Sequence, residues 1–143
     1  MRWFEEYIGL PWAAVPDPPR SFSCGELVRH VMQKRHGIAM PEILANAAIL
    51  RECIRDIGKP GRYGLFPLPS GEGPREYDVA YLAQATRQSH VGLAVDSPDG
   101  PLIMHCVQGA GVTLNAPAEL LGMGYRRLDW YRHHLLGGAP CPA

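Results

Sequence analysis

The stretch that decides the fold is residues 23–37, SCGELVRHVMQKRHG, because it contains the signals of a complete helix. It opens with a capping box, in which the side chains of Ser23 and Glu26 each accept a backbone N–H at the helix start. Apolar residues then recur at helical spacing, and basic residues fill the last turn, where they face the negative end of the helix dipole. Gly37 suits the left-handed position after a helix. The pattern predicts a helix with Cys24 in its first turn.

The segments around this helix are also helical or irregular in character up to residue 74. A short helix is expected over residues 2–8, followed by an extended proline-rich loop over residues 13–20. Residues 42–57 are predicted to form a second long helix. The Gly- and Pro-rich residues 58–74 are predicted to form a long surface loop.

The hydrophobic period changes to two in the second half of the chain, which predicts β-strands. The predicted strands are residues 78–82, 89–95, 102–106, 112–115 and 126–131. A turn at residues 97–100 (SPDG) joins the second and third of these into a hairpin, and a short helix is expected over residues 118–121. Helices followed by an antiparallel sheet predict an α+β fold, and the length fits a single domain over residues 1–143.

Composition and charge exclude several classes of function. The chain has 14 basic and 14 acidic side chains and no evident basic stripe, so nucleic acid is not an expected partner. No apolar run approaches the ~18 residues of a membrane span, and the first residues lack the apolar segment of a signal peptide. We therefore expect synthesis in the cytoplasm and no membrane partner. The cysteines form no C-x-x-C pair, so we expect free thiols and no structural zinc site at Cys24, Cys53, Cys106 and Cys141.

Cys24 is the candidate nucleophile. A thiol in the first turn of a helix feels the positive end of the helix dipole, which lowers its pKa and favours the thiolate. The backbone N–H at this position has no acceptor within the helix and is free to donate to an oxyanion. A small buried residue without a chemical role is the alternative.

His90 and His105 are the candidate partners of this thiol. His90 opens a strand in which it shares one face with Gly92 and Ala94, so small residues leave room for a group to approach it. The hairpin brings His105 close to His90. The pair can be a base and its orienting residue, or two metal ligands, or have no joint role. Cys106 points away from His105 and is expected in the core. The other histidines are expected at the surface: His30, His36, His133 and His134.

Five short segments resemble motifs of the NlpC/p-sixty cell-wall endopeptidases and occur in the order of that family. Residues 23–29 (SCGELVR) resemble the nucleophile segment D-C-x-G-L-V-R, and residues 89–95 (SHVGLAV) resemble the strand S-H-V-G-I-Y-V. The other three are residues 9–12 (GLPW), similar to G-x-P-Y, residues 36–41 (HGIAMP), similar to G-I-x-L-P, and residues 104–106 (MHC), at the place of the third catalytic residue. The resemblance extends over residues 3–134.

The resemblance implies a papain-like fold in which N-terminal helices pack on a small antiparallel sheet. It implies a cysteine peptidase that needs no cofactor and no metal, with Cys24 as nucleophile, His90 as base and His105 as the residue that orients His90. Trp12 stands where the family has Tyr, and its indole N–H is a candidate oxyanion donor. Ser23 stands where the family has an Asp that receives the free amine of the substrate.

The opening and ending of the chain look most like the phage-tail branch of the family. That branch implies a tail-tip protein that cuts peptidoglycan stem peptides, with other tail proteins as partners and the virion tail as a location. Residues 25–26 also depart from the family pattern, and together with Ser23 and Trp12 they bear on substrate recognition. The alternatives are a weakly active or inactive tail-assembly protein, an amidase or acyltransferase on the same fold, and a small metal-binding protein.

Overall fold

A six-stranded antiparallel sheet organises the chain, of which the computed structural model describes residues 2–137. The helices are α1 (Cys24–His36), α2 (Leu50–Ile57) and α3 (Pro117–Gly122), with 3-10 turns at Pro60–Tyr63 and His134–Leu136. The strands are β1 (Leu65–Pro67), β2 (Val79–Ala83), β3 (His90–Val95), β4 (Leu102–Val107), β5 (Gly111–Asn115) and β6 (Arg127–His133). Their order in the sheet is β1-β6-β2-β3-β4-β5. The α+β class expected from the sequence is confirmed.

Helix α1 forms as its sequence predicts. Ser23 is extended and its hydroxyl accepts the Glu26 N–H at 3.3 Å, while Gly37 has φ of 66° and closes the helix. The Glu26 carboxylate does not complete the capping box, because it binds the Arg29 guanidinium instead. The helix lies against β3 and β4 and buries one apolar face, which consists of Leu27, Val28, Val31 and Met32.

Both faces of the central strands are buried, and each face has its own hydrophobic cluster. The face toward α1 includes Val91, Leu93 and Val95 of β3 together with the buried side chains of α1. The opposite face packs Leu82 of β2 against Leu120 of α3. Alternation along β3 therefore gives its odd-numbered positions to α1 and places His90 on the other face.

Two of the predicted helices are wrong in kind or in extent. Residues 3–9 form successive turns, in which backbone N–H groups bind carbonyls three residues earlier in the chain. The chain bends in this way to bury Phe4 and Tyr7. The second helix spans only Leu50–Ile57 rather than residues 42–57. Its expected first half is irregular because side chains bind its backbone: Asp56 accepts the N–H groups of residues 44 and 45, and an Asn46 side chain accepts the N–H of residue 48.

Other boundaries need smaller corrections. The predicted loop over residues 58–74 contains the turn Pro60–Tyr63 and the strand β1, which pairs with β6. The remaining strands differ from prediction by one or two residues at their ends, and α3 is one residue longer at each end. The turn at residues 97–100 forms as predicted, with the Gly100 N–H bound to the Ser97 carbonyl. No helix among residues 2–137 is long and apolar enough to cross a membrane.

The expectation that four histidines lie on the surface is confirmed only for His36, because His133 is buried and His30 and His134 are half-buried. His133 at the end of β6 is only 4% exposed. His30 is half-buried with its ring edge-on to the rings of Tyr7 and Phe22, and its Nε2 has no partner within residues 2–137. His36 is exposed and His134 is half-buried. Tyr7 and Phe22 cover the His30 ring through the tertiary fold, which no pattern local to α1 shows.

An ion pair inside the sheet joins the start of β2 to β6. The Arg132 guanidinium donates from Nε and Nη2 to the two Asp78 carboxylate oxygens, each at 2.8 Å, and its Nη1 reaches Glu72 at 3.1 Å. The Arg132 side chain is 0% exposed and that of Asp78 is 1% exposed. A bidentate pair of this kind is geometrically specific, and removing one partner leaves a buried charge uncompensated.

We therefore expect Asp78→Asn to destabilise the protein by about 3–5 kcal/mol. Glu6→Gln is the matched control, because Glu6 pairs with Lys34 at the surface, where such pairs contribute about 1 kcal/mol or less. Urea unfolding of both variants measures the difference. A loss below about 1 kcal/mol for Asp78→Asn would show that the pair is dispensable.

Candidate active site

A cleft of about 280 Å³ lies where the start of α1 meets the start of β3. Cys24, His90 and Trp12, three of the residues predicted from the sequence, line it together. His105 lies behind His90 and does not line the cleft. The cleft is also lined by Cys53, Gln84, Cys106, Gln108 and Tyr125. The fold therefore brings the candidate nucleophile and the candidate base to one concave surface.

The two histidines belong to a chain of hydrogen bonds that ends on an amide. His90 Nε2 lies 2.8 Å from His105 Nδ1, and His105 Nε2 lies 2.8 Å from the Asn115 side-chain oxygen. An amide oxygen only accepts hydrogen bonds, so His105 carries its proton on Nε2. Its Nδ1 is then an acceptor, and His90 must donate from Nε2. The unprotonated nitrogen of His90 is therefore Nδ1, which is the atom a general base requires.

The His90 ring is fixed by its neighbours as well as by this bond. The Tyr125 ring stacks on it at a centroid distance of 5.2 Å and an interplanar angle of 12°. Gly92, on the same strand, has no side chain, and the adjacent strand β4 occupies the space that a side chain would need. A Cβ at Gly92 would come within 2.9 Å of the Met104 carbonyl and 3.0 Å of the His105 Cβ. The small-residue face predicted around His90 thus makes room for His105.

Burial decides the charge state of the cleft. The Cys24 side chain is covered, and burial raises the pKa of its thiol to about 11 despite opposing backbone amides, the largest effect among which is that of Val91. Burial, with a smaller contribution from His105, lowers the pKa of His90 to about 3. The expected lowering of the Cys24 pKa is therefore wrong for the free protein. A neutral thiol beside a neutral imidazole replaces the expected ion pair.

Three donors near Cys24 are suited to a developing oxyanion. The Cys24 and Gly25 N–H groups come before the first hydrogen-bonded N–H groups of α1. The Glu26 N–H binds the Ser23 hydroxyl, and the Leu27 N–H binds the Ser23 carbonyl. The Trp12 indole N–H makes no hydrogen bond within residues 2–137, and its ring lines the cleft. No hydrogen bond among the same residues joins the Cys24 Sγ to the His90 ring.

Ser23 faces a different cavity. It is buried as the N-cap of α1 and lines a neighbouring cavity of about 470 Å³ with Glu26 and Glu52. Its observed contact is the cap, so Ser23 holds the start of the helix that carries Cys24.

Sequence reasoning missed Asn115 and Tyr125. His105 pairs with Thr113 across the β4–β5 ladder, so the residue two positions further on the same face is within reach of its ring. That register would have pointed to Asn115. Tyr125 lies in an irregular segment after α3, where no local pattern places a side chain over His90.

Cys53 and Cys106 also line the cleft, which the sequence did not indicate. Cys106 is buried and its Sγ donates to the Phe22 carbonyl, as expected of a core residue, yet it also lines the cleft. Cys53 on α2 lines the cleft as well. These two and Cys24 are free thiols, and Cys141 lies outside the described residues.

The arrangement does not resemble a metal centre. Within residues 2–137 there is no group of three or more His, Cys, Asp or Glu side chains placed to hold a metal ion. The His105 ring shows the reason, because both of its nitrogens already bind protein groups.

In comparisons with known proteins, no family model and no curated protein matches this chain.

The charge state of Cys24 can be read from its reactivity. Because its pKa is raised to about 11, we expect its alkylation by iodoacetamide to accelerate about tenfold per pH unit between pH 7 and pH 10. Peptide mapping separates Cys24 from the other thiols. The His90→Ala variant is the control, since it should show the same slope. A rate that is constant near neutral pH in the native protein and falls in His90→Ala would instead indicate an ion pair.

The proton positions can be tested at Asn115. Long-range ¹H–¹⁵N spectra should show both His90 and His105 protonated on Nε2. In Asn115→Asp the new carboxylate raises the pKa of His105, which burial otherwise lowers. Below that raised pKa, His105 donates from Nδ1, and His90 must carry its proton on Nδ1. The proton of His90 should therefore move from Nε2 to Nδ1 as the pH falls in the variant.

The matched control adds the same charge elsewhere in the cleft. Gln108→Glu places a carboxylate on the cleft wall without a bond to His105, so it should leave both rings protonated on Nε2. Finding Nδ1 protonated on either ring of the native protein would contradict the assigned chain.

Proposed function

We propose that this protein is a papain-like cysteine hydrolase that cleaves an amide bond. The observation that supports it is the chain from Asn115 through His105 to His90, which leaves Nδ1 of His90 unprotonated, in a residue that lines the same cleft as Cys24 at a helix N-terminus. A nucleophile, a base and a residue that positions the base are the parts that such a reaction needs.

The proposed reaction begins from the neutral pair. His90 Nδ1 takes the Cys24 proton while Sγ bonds to the substrate carbonyl carbon, and the carbonyl oxygen becomes an oxyanion. The Cys24 N–H and the Trp12 indole N–H donate to that oxyanion. The His90 imidazolium then gives its proton to the leaving amine as the C–N bond breaks, which leaves a thioester. Water, deprotonated by His90, cleaves the thioester and restores the thiol.

His105 acts as a positioning residue in this scheme. It does not line the cleft, but its Nδ1 accepts the hydrogen bond from His90 Nε2–H, which fixes the tautomer of His90 and stabilises the imidazolium when His90 becomes charged. We expect its loss to cost less than the loss of His90, because an orienting residue can be partly replaced by water.

Peptidoglycan stem peptides are the substrates that we propose, with action at a phage tail tip. The support is the sequence resemblance of five ordered segments to the NlpC family and of both chain ends to its phage-tail branch. Ser23 keeps the helix cap but not the carboxylate of the family pattern, so its role toward the amine of the substrate stays a prediction.

An inactive tail-assembly protein is the second candidate, and one observation favours it. The Cys24 thiol is buried with its pKa raised to about 11, which is the state of a structural cysteine rather than of a preformed thiolate. The two candidates differ in whether His90 removes the thiol proton when a substrate is bound.

Digestion of purified sacculi with mass spectrometry of the released fragments separates these candidates. We expect the protein to release peptides with new amine termini, and Cys24→Ala and His90→Ala to lower the rate by about a thousandfold or more. His105→Ala should lower it by about ten- to a hundredfold, because it removes orientation but not the base.

Cys53→Ala is the matched control, because Cys53 is a free thiol of the same cleft that the reaction does not use. It should keep the rate within about twofold. Full activity in Cys24→Ala, or a loss in Cys53→Ala as large as that in Cys24→Ala, would overturn the proposed roles. No release by the native protein would favour the tail-assembly candidate.

A further inference from the structure

A third cavity, of about 590 Å³, lies on the other side of α2 from the cleft. We call it the basic groove, because five cationic side chains line it and no carboxylate does. The five are Arg51, Arg55, Lys59, Arg87 and Arg127. The first three come from α2 and the residues that follow it, and the other two come from the loop before β3 and from β6.

Most of this charge has no partner among residues 2–137. Within residues 2–137, Arg51, Arg55, Lys59 and Arg87 form no salt bridge and no side-chain hydrogen bond, whereas Arg127 binds Asp129. The chain as a whole is neutral, with 14 basic and 14 acidic side chains. Concentrating five cations on one concave surface therefore creates a local positive potential that attracts anions.

The expectation that the chain has no basic stripe is therefore wrong. Arg51 and Arg55 are four residues apart on one face of α2, and Lys59 follows shortly after the end of the helix. The sequence carried this signal, but Arg87 and Arg127 join it only through the tertiary fold.

The basic groove and the cleft share two walls. Leu50 and Cys53 of α2 line the cleft, while Arg51 and Arg55 of the same helix line the groove. The loop between β2 and β3 also contributes to both cavities, because its residue 84 lines the cleft and its residues 86–88 line the groove. The two cavities are therefore neighbours that α2 and this loop separate.

The spacing of the cations fits a peptide. Arg51 and Arg55 are about 6 Å apart along the helix axis. Alternate residues of an extended chain are about 7 Å apart and point to the same side. Arginine also binds carboxylates through two parallel hydrogen bonds, which suits it to Asp and Glu side chains. Tyr131 is the one aromatic side chain of the groove, which gives little stacking surface for nucleic acid bases.

We propose that the basic groove binds an acidic segment of the peptide whose amide enters the cleft, so that the enzyme selects acidic substrates. This inference rests on the proposed hydrolase function. The segment places carboxylates opposite Arg51 and Arg55, while the scissile amide lies between Cys24 and His90.

Fluorescence anisotropy with a labelled hexaglutamate peptide tests the groove directly. We expect binding at low salt that weakens as the salt concentration rises, and no binding of hexaglutamine. The double variant Arg51→Gln with Arg55→Gln should bind about tenfold more weakly, because it removes two cations and keeps good helix formers. Arg87→Gln, outside the helix, should weaken binding severalfold and guards against a folding defect in α2.

The matched control removes two cations from another part of the surface. Arg20→Gln with Lys34→Gln causes the same change in net charge, and neither residue lines the groove. It should bind hexaglutamate as the native protein does. Equal weakening by both double variants, or no binding by the native protein, would overturn the proposal. A single-stranded oligonucleotide that binds more tightly and depends on the same arginines would also overturn it.

Two further measurements separate this inference from the proposed function. Cys24→Ser should bind hexaglutamate unchanged, since the groove does not need the nucleophile. Hexaglutamate should slow alkylation of Cys24 in the native protein but not in Arg51→Gln with Arg55→Gln. Groove binding with no amide cleavage would reject the hydrolase alone, while binding that leaves the alkylation rate unchanged would reject the shared peptide.

Discussion

The buried pair of Asp78 and Arg132 is the interaction on which the centre of the sheet depends. It fixes the start of β2 against β6, and the Asp78 carbonyl also accepts the Ala94 N–H of β3. Three neighbouring strands are thus held in one register at a single residue. That register places His90 opposite Leu82 at the far end of the ladder. A slip of one residue would send the His90 ring to the α1 side of the sheet and dismantle the site.

Two opposing effects act on Cys24, and their sizes explain its charge state. A helix N-terminus stabilises an anion by about 0.3–1 kcal/mol, and by about 2 kcal/mol in favourable buried geometry. Burial outweighs the backbone amides that favour the thiolate and raises the thiol pKa from 9.0 to about 11, a net effect of about 3 kcal/mol in the opposite direction. Desolvation therefore dominates in the free protein, and a base rather than the helix dipole must remove the proton.

The sequence predicted the parts of the fold that depend on neighbours along the chain. Helix α1, with Ser23 at its start and Gly37 at its end, and the turn at residues 97–100 are set by residues within a few positions of each other. The sequence also predicted that His90 and His105 lie close together, because a hairpin joins their strands. Local patterns did not show that Asp56 would bind the backbone of residues 44 and 45 and shorten α2, or that Asn115 would reach His105. These contacts depend on the tertiary arrangement.

Helix α2 has only eight residues and no side-chain cap, and a helix of that length is not stable by itself in water. It keeps its form because Cys53, Asp56 and Ile57 are buried against the rest of the protein. This short helix forms one wall of the cleft and one wall of the basic groove. Its stability comes from packing rather than from its own hydrogen bonds, so a change in how the helix packs alters the walls of both cavities together.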